Sequence, residues 1–320
     1  MDLIRMNSEK EDIDVMQNYT LDLAFGMDEN DFECSVFRDC HCCEKGNYLY
    51  FEGCEYGGII DDIGIDTEAE EVTYYGRTWH GILNTKVIKP DSGADYLVLS
   101  GEANAVLGTL ISRMGLSYLF KASNKNSGIT ISKYKMERYI EGYDGIKKML
   151  KAYGAKLNIV FRNNFVELSA NPIVDYSQDE QFDSSQISLR IKKKGSNVNH
   201  VICLGSGELS QREIVHVYAN RLGEISNTQV FTGIEEIEAI YENVNASGTE
   251  LRQGGINMIN SSWNSDEIEF DFYSDAETYD IGDIVGAMEE VTGMEVNAEI
   301  TKKIVSIKDN TTTISYKVGE

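Results

Sequence analysis

Two prolines, Pro90 and Pro172, are the only ones in 320 residues, and they bracket the one stretch whose charge and periodicity differ from the rest. Residues 1–90 carry seven Lys and Arg against 20 Asp and Glu. Residues 91–172 carry 11 against seven, and residues 173–320 carry 11 against 26. A reversal of sign that coincides with residues unable to continue a strand ladder or a helix interior marks a boundary between folding units. The chain therefore divides into an acidic first part, a mildly basic middle and an acidic last part.

The first part reads as β throughout. DVMQNYTLDLAF, DFECSVFR, NYLYFEG, GGIIDDIGIDTEAEEVTYYGR and HGILNTKVI are rich in β-branched and aromatic residues and are separated by turn clusters such as GMDEND and EKGN. The acids of DDIGIDTEAEE fit a solvated loop joining two paired strands, because the ligand order of a calcium loop is missing. The middle part changes period. Ala103, Val106, Leu107, Leu110, Ile111 and Met114 form a helical stripe that stops at Gly115. Ile146, Met149, Leu150 and Tyr153 form a second, which stops at Gly154. LSYLFKAS and GITISKYK read as strands, and KLNIVFRNNFVELSA as a hairpin turning at residues 162–164.

After Pro172 the β pattern returns in IVDYS, QISLRIKKKG, NHVICLGSG and REIVHVYAN. Thr232, as a cap, with Ile234, Ile237, Ile240 and Val244 predicts a helix, which Gly248 and the pair Gly254–Gly255 should break or bend. Four more strands close the chain. The expected fold is mainly β with an α+β insertion. Residues 1–90 and 173–225 form a discontinuous first antiparallel β-barrel and 91–172 an inserted α/β domain. Residues 226–264 form a helical connector and 265–320 a second small barrel.

The net charge of −24 opposes non-specific nucleic-acid binding, which depends on neutralising phosphates. No apolar run approaches bilayer length, and MDLIRMNSEKEDIDV lacks the pattern of an export signal, so synthesis and folding in a cytoplasm are expected, which the resemblance given below makes that of a bacterial host. Cys34, Cys40, Cys42, Cys43 and Cys54 cluster early and Cys203 stands apart. Zinc sites draw on two closely spaced ligand pairs. Only Cys40 and its neighbours, with His41, have such spacing, so free thiols on strands and a hairpin tip are expected, without a metal.

LGSGELSQR, residues 204–212, looks at first like a phosphate grip. A phosphate loop needs a lysine that is absent, a dinucleotide loop needs a third glycine and a following helix, and a nucleophile elbow needs wider glycine spacing. A connection between paired strands remains. His41, His80, His200 and His216 are scattered, with His200 and His216 placed to be neighbours across that connection. No catalytic residue and no cofactor is expected.

In order along the chain, three segments resemble tail-tip or baseplate hub proteins of phages, prophages and phage-derived tailocins of Gram-positive bacteria. Gly76, Arg77 and Thr78 resemble the G-R-[ST] step that ends the first barrel. Gly205, Gly207, Glu208 and Leu209 resemble the turn of its returning strands. Tyr279, Ile281, Gly282, Asp283 and Val285 resemble the Y-x-[ILV]-G-D-x-V strand of the second barrel. The resemblance implies a structural, non-enzymatic homotrimer in a virion or tail-like particle. Its two barrels per subunit would match three-fold to six-fold symmetry. The implied partners are the tail tube or distal tail ring, the tape-measure protein, and the spike or other baseplate proteins, with no membrane and no specific nucleic acid. An acidic ring would let DNA pass without adhering. With the chain stopping at Glu320, wall-cutting activity is expected to reside on another polypeptide. The rival readings are a cell-wall hydrolase (peptidase or glycosidase), or a carbohydrate-binding adhesin using Trp79, Trp263 and the 18 tyrosines.

Overall fold

The computed structural model describes residues 2–177, 181–183, 188–192, 197–263, 267–274, 279–309 and 311–319. Strand accounts for 45% of the chain and helix for 18%, so the protein is mainly β, as its residue pattern requires. It divides into two compact units, residues 1–189 with 269–320, and residues 190–268.

The first unit opens with β1 (Ile4–Met6), β2 (Asp12–Val15), β3 (Tyr19–Gly26), β4 (Asp31–Phe37), β5 (Tyr48–Tyr50), β6 (Gly57–Asp66) and β7 (Glu71–Thr78). They pair antiparallel in the order β2-β1-β5-β6-β7-β4-β3. Alternation decides which face is buried. Leu21, Leu23 and Phe25 on β3, Phe32, Cys34 and Val36 on β4, and Val72 and Tyr74 on β7 all point inward. The acidic stretch read as a loop is mostly strand: Asp61, Asp62 and Asp66 belong to β6 and Glu71 to β7, and only residues 67–70 form the turn between them.

Residues 79–84 depart from the all-β expectation by forming α1 (Trp79–Asn84). Thr78 caps it, its Oγ1 accepting from the Gly81 amide at 3.4 Å. Six residues are too few for a helical period to emerge from the sequence. The middle part follows as β8 (Val87–Ile88), β9 (Leu97–Glu102), α2 (Ala103–Arg113), β10 (Phe120–Ala122), β11 (Thr130–Met136), β12 (Ile140–Glu141), α3 (Gly142–Lys151), β13 (Ala155–Arg162) and β14 (Phe165–Pro172). Both helices end where read, at Gly115 and Gly154 with φ of +72° and +68°. The β13–β14 hairpin turns on Asn163 and Asn164, both in the left-handed region. This part is not a separate body. Its Leu107, Leu110, Ile146, Phe161 and Leu168 share one core with Met6, Tyr50 and Trp79. Phe161 lies 4.0 Å from the Tyr50 ring and 5.5 Å from Trp79.

β15 (Gln181–Asp183) and β16 (Ser188–Lys192) lead to the second unit. There β17 (His200–Leu204), β18 (Ile214–Ala219), β19 (Ile225–Ser226) and β20 (Glu238–Glu242) form a sheet in the order β19-β18-β17-β20, under α4 (Gly248–Trp263). Two expectations are corrected here. The strands at 200–219 do not return to the first sheet, since β17 pairs with β18 and β20 instead. The helix read at 232–244 is a short 3₁₀ turn followed by β20, with Ile234, Ile240 and Val244 exposed. The true helix begins at Gly248 and contains Gly254 and Gly255. A Cβ on Gly255 would lie 2.4 Å from the Cys203 Sγ, and one on Gly254 2.2 Å from the Tyr241 ring. These glycines let α4 lie close on the sheet rather than breaking it.

The last strands, β21 (Glu267–Ser274), β22 (Ile284–Glu289), β23 (Met294–Lys308) and β24 (Thr311–Val318), also correct the plan. The first half of β23 pairs with β22, which in turn pairs with β15. Its second half pairs with both β3 and β24. A bulge between Ile300 and Lys302 switches the inward parity, so Val296, Ala298 and Ile300 are followed inside by Lys303, Val305 and Ile307. The C-terminal strands thus extend the N-terminal sheet. Among the described residues the pairings do not close into a barrel.

Candidate functional site

Gly76, Arg77 and Thr78 sit at the end of β7 and serve three local roles. Gly76 lies where a Cβ would be 1.9 Å from the Ile59 carbonyl, so only glycine allows β6 and β7 to approach there. Arg77 grips Asp61, which stands at a bulge of β6, through Nε to Oδ2 and Nη2 to Oδ1, both at 2.7 Å. That hydrogen bond, against partial burial, raises the guanidinium pKa further. Thr78 caps α1.

Gly205, Gly207 and Glu208 form the connection between β17 and β18, as the failure of the phosphate-loop readings requires. Its amides are already committed: Gly205 N–H donates to the Glu213 carbonyl at 2.9 Å and Ser206 N–H to the Ala246 carbonyl at 3.1 Å. Gly207 adopts φ +97° and Leu209 is 93% exposed. The Gly205 and Ser206 amides are thus turned toward the protein's own carbonyls.

Tyr279, Gly282 and Asp283 lie in a turn before β22, with Tyr279 and Asp283 buried. Asp283 is fully buried. Its Oδ2 accepts from Lys156 Nζ at 2.6 Å and from the Asp280 amide at 3.0 Å, and its Oδ1 from the Val174 amide at 2.9 Å. Lys156, on β13, also reaches Asp280 at 2.6 Å. Burial alone would lower the Lys156 pKa, but the two carboxylates outweigh it and hold the ammonium above its ordinary value. Gly282, at φ +98°, donates to the Ile300 carbonyl, and Tyr279 packs edge-on against Tyr316 and Tyr176. The segment read as one strand is therefore a turn, with β22 starting only at Ile284.

A second buried ionic group was not legible in the sequence. Lys303, wholly buried, pairs with Glu55 at 2.7 Å, and Glu55 lies 3.7 Å from His80 Nε2. The His80 ring stacks on Phe25 at 4.6 Å. Burial, followed by the charges of Lys147 and Lys303, pushes His80 down to about 3, so it is neutral near pH 7. Only the bulge in β23 turns Lys303 inward, and a bulge leaves no mark in a hydrophobicity pattern.

The cysteines are all free thiols. Cys34 is buried on β4, where desolvation pushes it up to about 12, and Cys43 packs against Met16 at 3.7 Å. His41 bonds the Tyr74 hydroxyl at 3.0 Å. His200 and His216 are neighbours, as their spacing predicted, with Nε2 and Nδ1 2.8 Å apart. On the outer face of β3, β4, β6 and β7 lies a cleft lined by Asp22, Glu29, Asp31, Glu33, Asp61 and Asp62. Burial, then the Glu29 charge, raises Asp31, while Lys302 lowers Glu29. Among the described residues no helix is long and apolar enough to cross a membrane.

No family model matches the sequence, and no curated protein matches it. Solved structures do. The 43 kDa tail protein of prophage MuSo2 from Shewanella oneidensis matches with a TM-score of 0.58 at 11% identity, over 100% of this chain and 98% of its own. Prophage tail protein gp18 from Listeria monocytogenes EGD-e matches with a TM-score of 0.54 at 10% identity, over 99% and 94%. A chain of the phage P2 baseplate in its activated conformation matches at 0.52 and 11%, over 98% of each. The chain has the fold of phage tail and baseplate proteins.

Proposed function

We propose that this chain is the structural hub of a tail tip or baseplate, in a phage, prophage or phage-derived particle of Gram-positive bacteria. One observation carries the reading: the likeness to tail and baseplate chains spans essentially the full length of both partners. A shared module would match only a part. In this reading three copies form a ring that joins a six-fold tail tube to a three-fold spike. The ring surrounds the channel for DNA and the tape-measure protein, and is bound by the tube or distal tail ring and by other baseplate proteins. In this reading the face of β3, β4, β6 and β7 walls the channel through Asp22, Asp31 and Glu33, whose carboxylates repel passing phosphates, while Glu29, Asp61 and Asp62 beside them are held by Lys302, Arg77 and Lys45. The protein works by assembly and not by turnover.

Imaging of the assembled particle by electron microscopy tests this. A trimeric ring at the tail end, together with co-purifying tape-measure and tube-initiating ring proteins, is the expected result. A monomer absent from the particle would refute it. Turnover of peptidoglycan by the purified chain would support the hydrolase instead, and selective glycan-array binding the adhesin.

A further inference from the structure

The second unit holds a group of side chains that the structural role leaves unused. His200, 6% exposed, is the first residue of β17. Its Nδ1 faces Glu236 Oε1 at 2.7 Å and Glu238 Oε1 at 3.2 Å, and these three atoms lie within 4.8 Å of one another. Its Nε2 lies 2.8 Å from His216 Nδ1. Register explains the convergence: Glu238 is the direct partner of His200 in the parallel β17–β20 pair. Buried Asn199 then clamps the segment before β20, accepting from the Ile237 amide at 3.0 Å and donating to the Glu235 carbonyl at 2.8 Å. That clamp holds Glu236 against the His200 Nδ1, and Gln229 Nε2 donates to the same Glu236 oxygen at 2.6 Å.

Two carboxylates here converge on one ring nitrogen, and among the described residues neither pairs with a Lys or Arg. When the Nε2–H of His200 donates to His216, the Nδ1 lone pair points at both carboxylates. In that tautomer a cation between them would satisfy all three groups at once. We propose that His200 Nδ1, Glu236 and Glu238 bind one first-row divalent transition-metal ion of the zinc class, with His216 orienting the imidazole from behind. An imidazole with two carboxylates suits Zn²⁺ or Co²⁺ better than Mg²⁺ or Ca²⁺, which favour all-oxygen sets. Ligand atoms around tetrahedral zinc stand roughly 3.4 Å apart, so the 2.7 and 3.2 Å separations of the ring nitrogen from the two carboxylates need only slight spreading. The bound ion would fasten the segment before β20 to β17, and solvent or a partner's side chain would complete the coordination. The inference concerns the second unit alone and does not depend on the tail-hub reading.

The test is titration of the chelator-treated full chain with Co²⁺, followed by visible absorption, and with Zn²⁺, followed by calorimetry. One site per chain is expected, without the thiolate-to-cobalt band that cysteine ligation would give. Glu238→Gln, at a half-exposed position, should weaken binding at least about tenfold, and His216→Phe by about ten- to a hundredfold. His200→Gln should abolish it, with circular dichroism reporting whether each variant is folded. A thiolate band, no saturable binding, or equal affinity in folded Glu238→Gln would overturn the proposal, the last showing an adventitious ion only.

Discussion

Replacing Asp283 probes how the turn before β22 is held. In Asp283→Ala the Val174 and Asp280 amides lose a charged acceptor, and Lys156, whose side chain is 6% exposed, loses its buried partner. Breaking a buried pair from one side costs about 3–5 kcal/mol. A hydrogen bond to a charged group is worth about 1.5–3 kcal/mol. The two figures describe the loss of one carboxylate and are not additive, and because Asp280 still reaches Lys156 the total stays at about 3–5 kcal/mol. Asp280→Asn removes a partner that is 42% exposed and should cost no more than about 1 kcal/mol. Urea unfolding in a Trp263→Phe background reads this directly, since Trp79 then reports the first unit alone. For a unit of this size the Asp283→Ala melting shift should be of the order of 10 °C. Equal costs for Asp283→Ala and Asp280→Asn would refute the account, because exposure and hydrogen bonding would then not decide the energy.

Three other expectations are more compact. His80 titrates near 3 in the folded chain and near 6.5 unfolded. Above about pH 6.5 it adds no pH dependence; below it the unfolded chain takes a proton that the folded one refuses. Stability should therefore fall by about 1.4 kcal/mol per pH unit down to about pH 3, and melting curves of His80→Gln between pH 7 and 5 should lack that component. Gly255→Ala should destabilise the second unit by about 1–3 kcal/mol despite the better helix propensity of alanine. Adding Cys203→Ala should recover part of that loss in thermal melts, because the Sγ it would strike is 2.4 Å away. Residues 91–172 expressed alone should show no cooperative melt by circular dichroism, because the core face around Phe161 would be left without Tyr50 and Trp79.

What could be read from the residues was whatever is governed locally. The stripes at 103–114 and 146–153 repeat long enough to define a helix, and the paired Asn163 and Asn164 define a hairpin without reference to the rest of the chain. The connection at Gly205–Glu208 was legible for the same reason. The failures share one cause. Ile234, Ile237, Ile240 and Val244 have helical spacing, yet three of them face solvent, so periodicity without burial misled. Gly254 and Gly255 looked like breakers because their use depends on Cys203 and Tyr241, which no local window contains. Partner choice was equally hidden. Nothing in β23 announces that half of it pairs with β22 and half with β3, or that its bulge turns a lysine inward. Of the candidate site residues, Asp283 and Arg77 could be picked out as positions, but their partners Lys156 and Asp61 emerge only when distant strands meet.

The β3–β23 pairing bears on how the molecule is made. Gly26 faces Lys302 and Thr20 faces Lys308, so the ladder at the middle of the sheet joins segments separated by most of the chain. During synthesis β3 must wait with one edge bare until its neighbour leaves the ribosome, while the locally connected helices and hairpin of the middle part can already collapse. Completion of the first unit thus waits for β23 to emerge. In that interval the nascent protein presents an open strand edge, the feature most prone to pair with another copy or to recruit a chaperone.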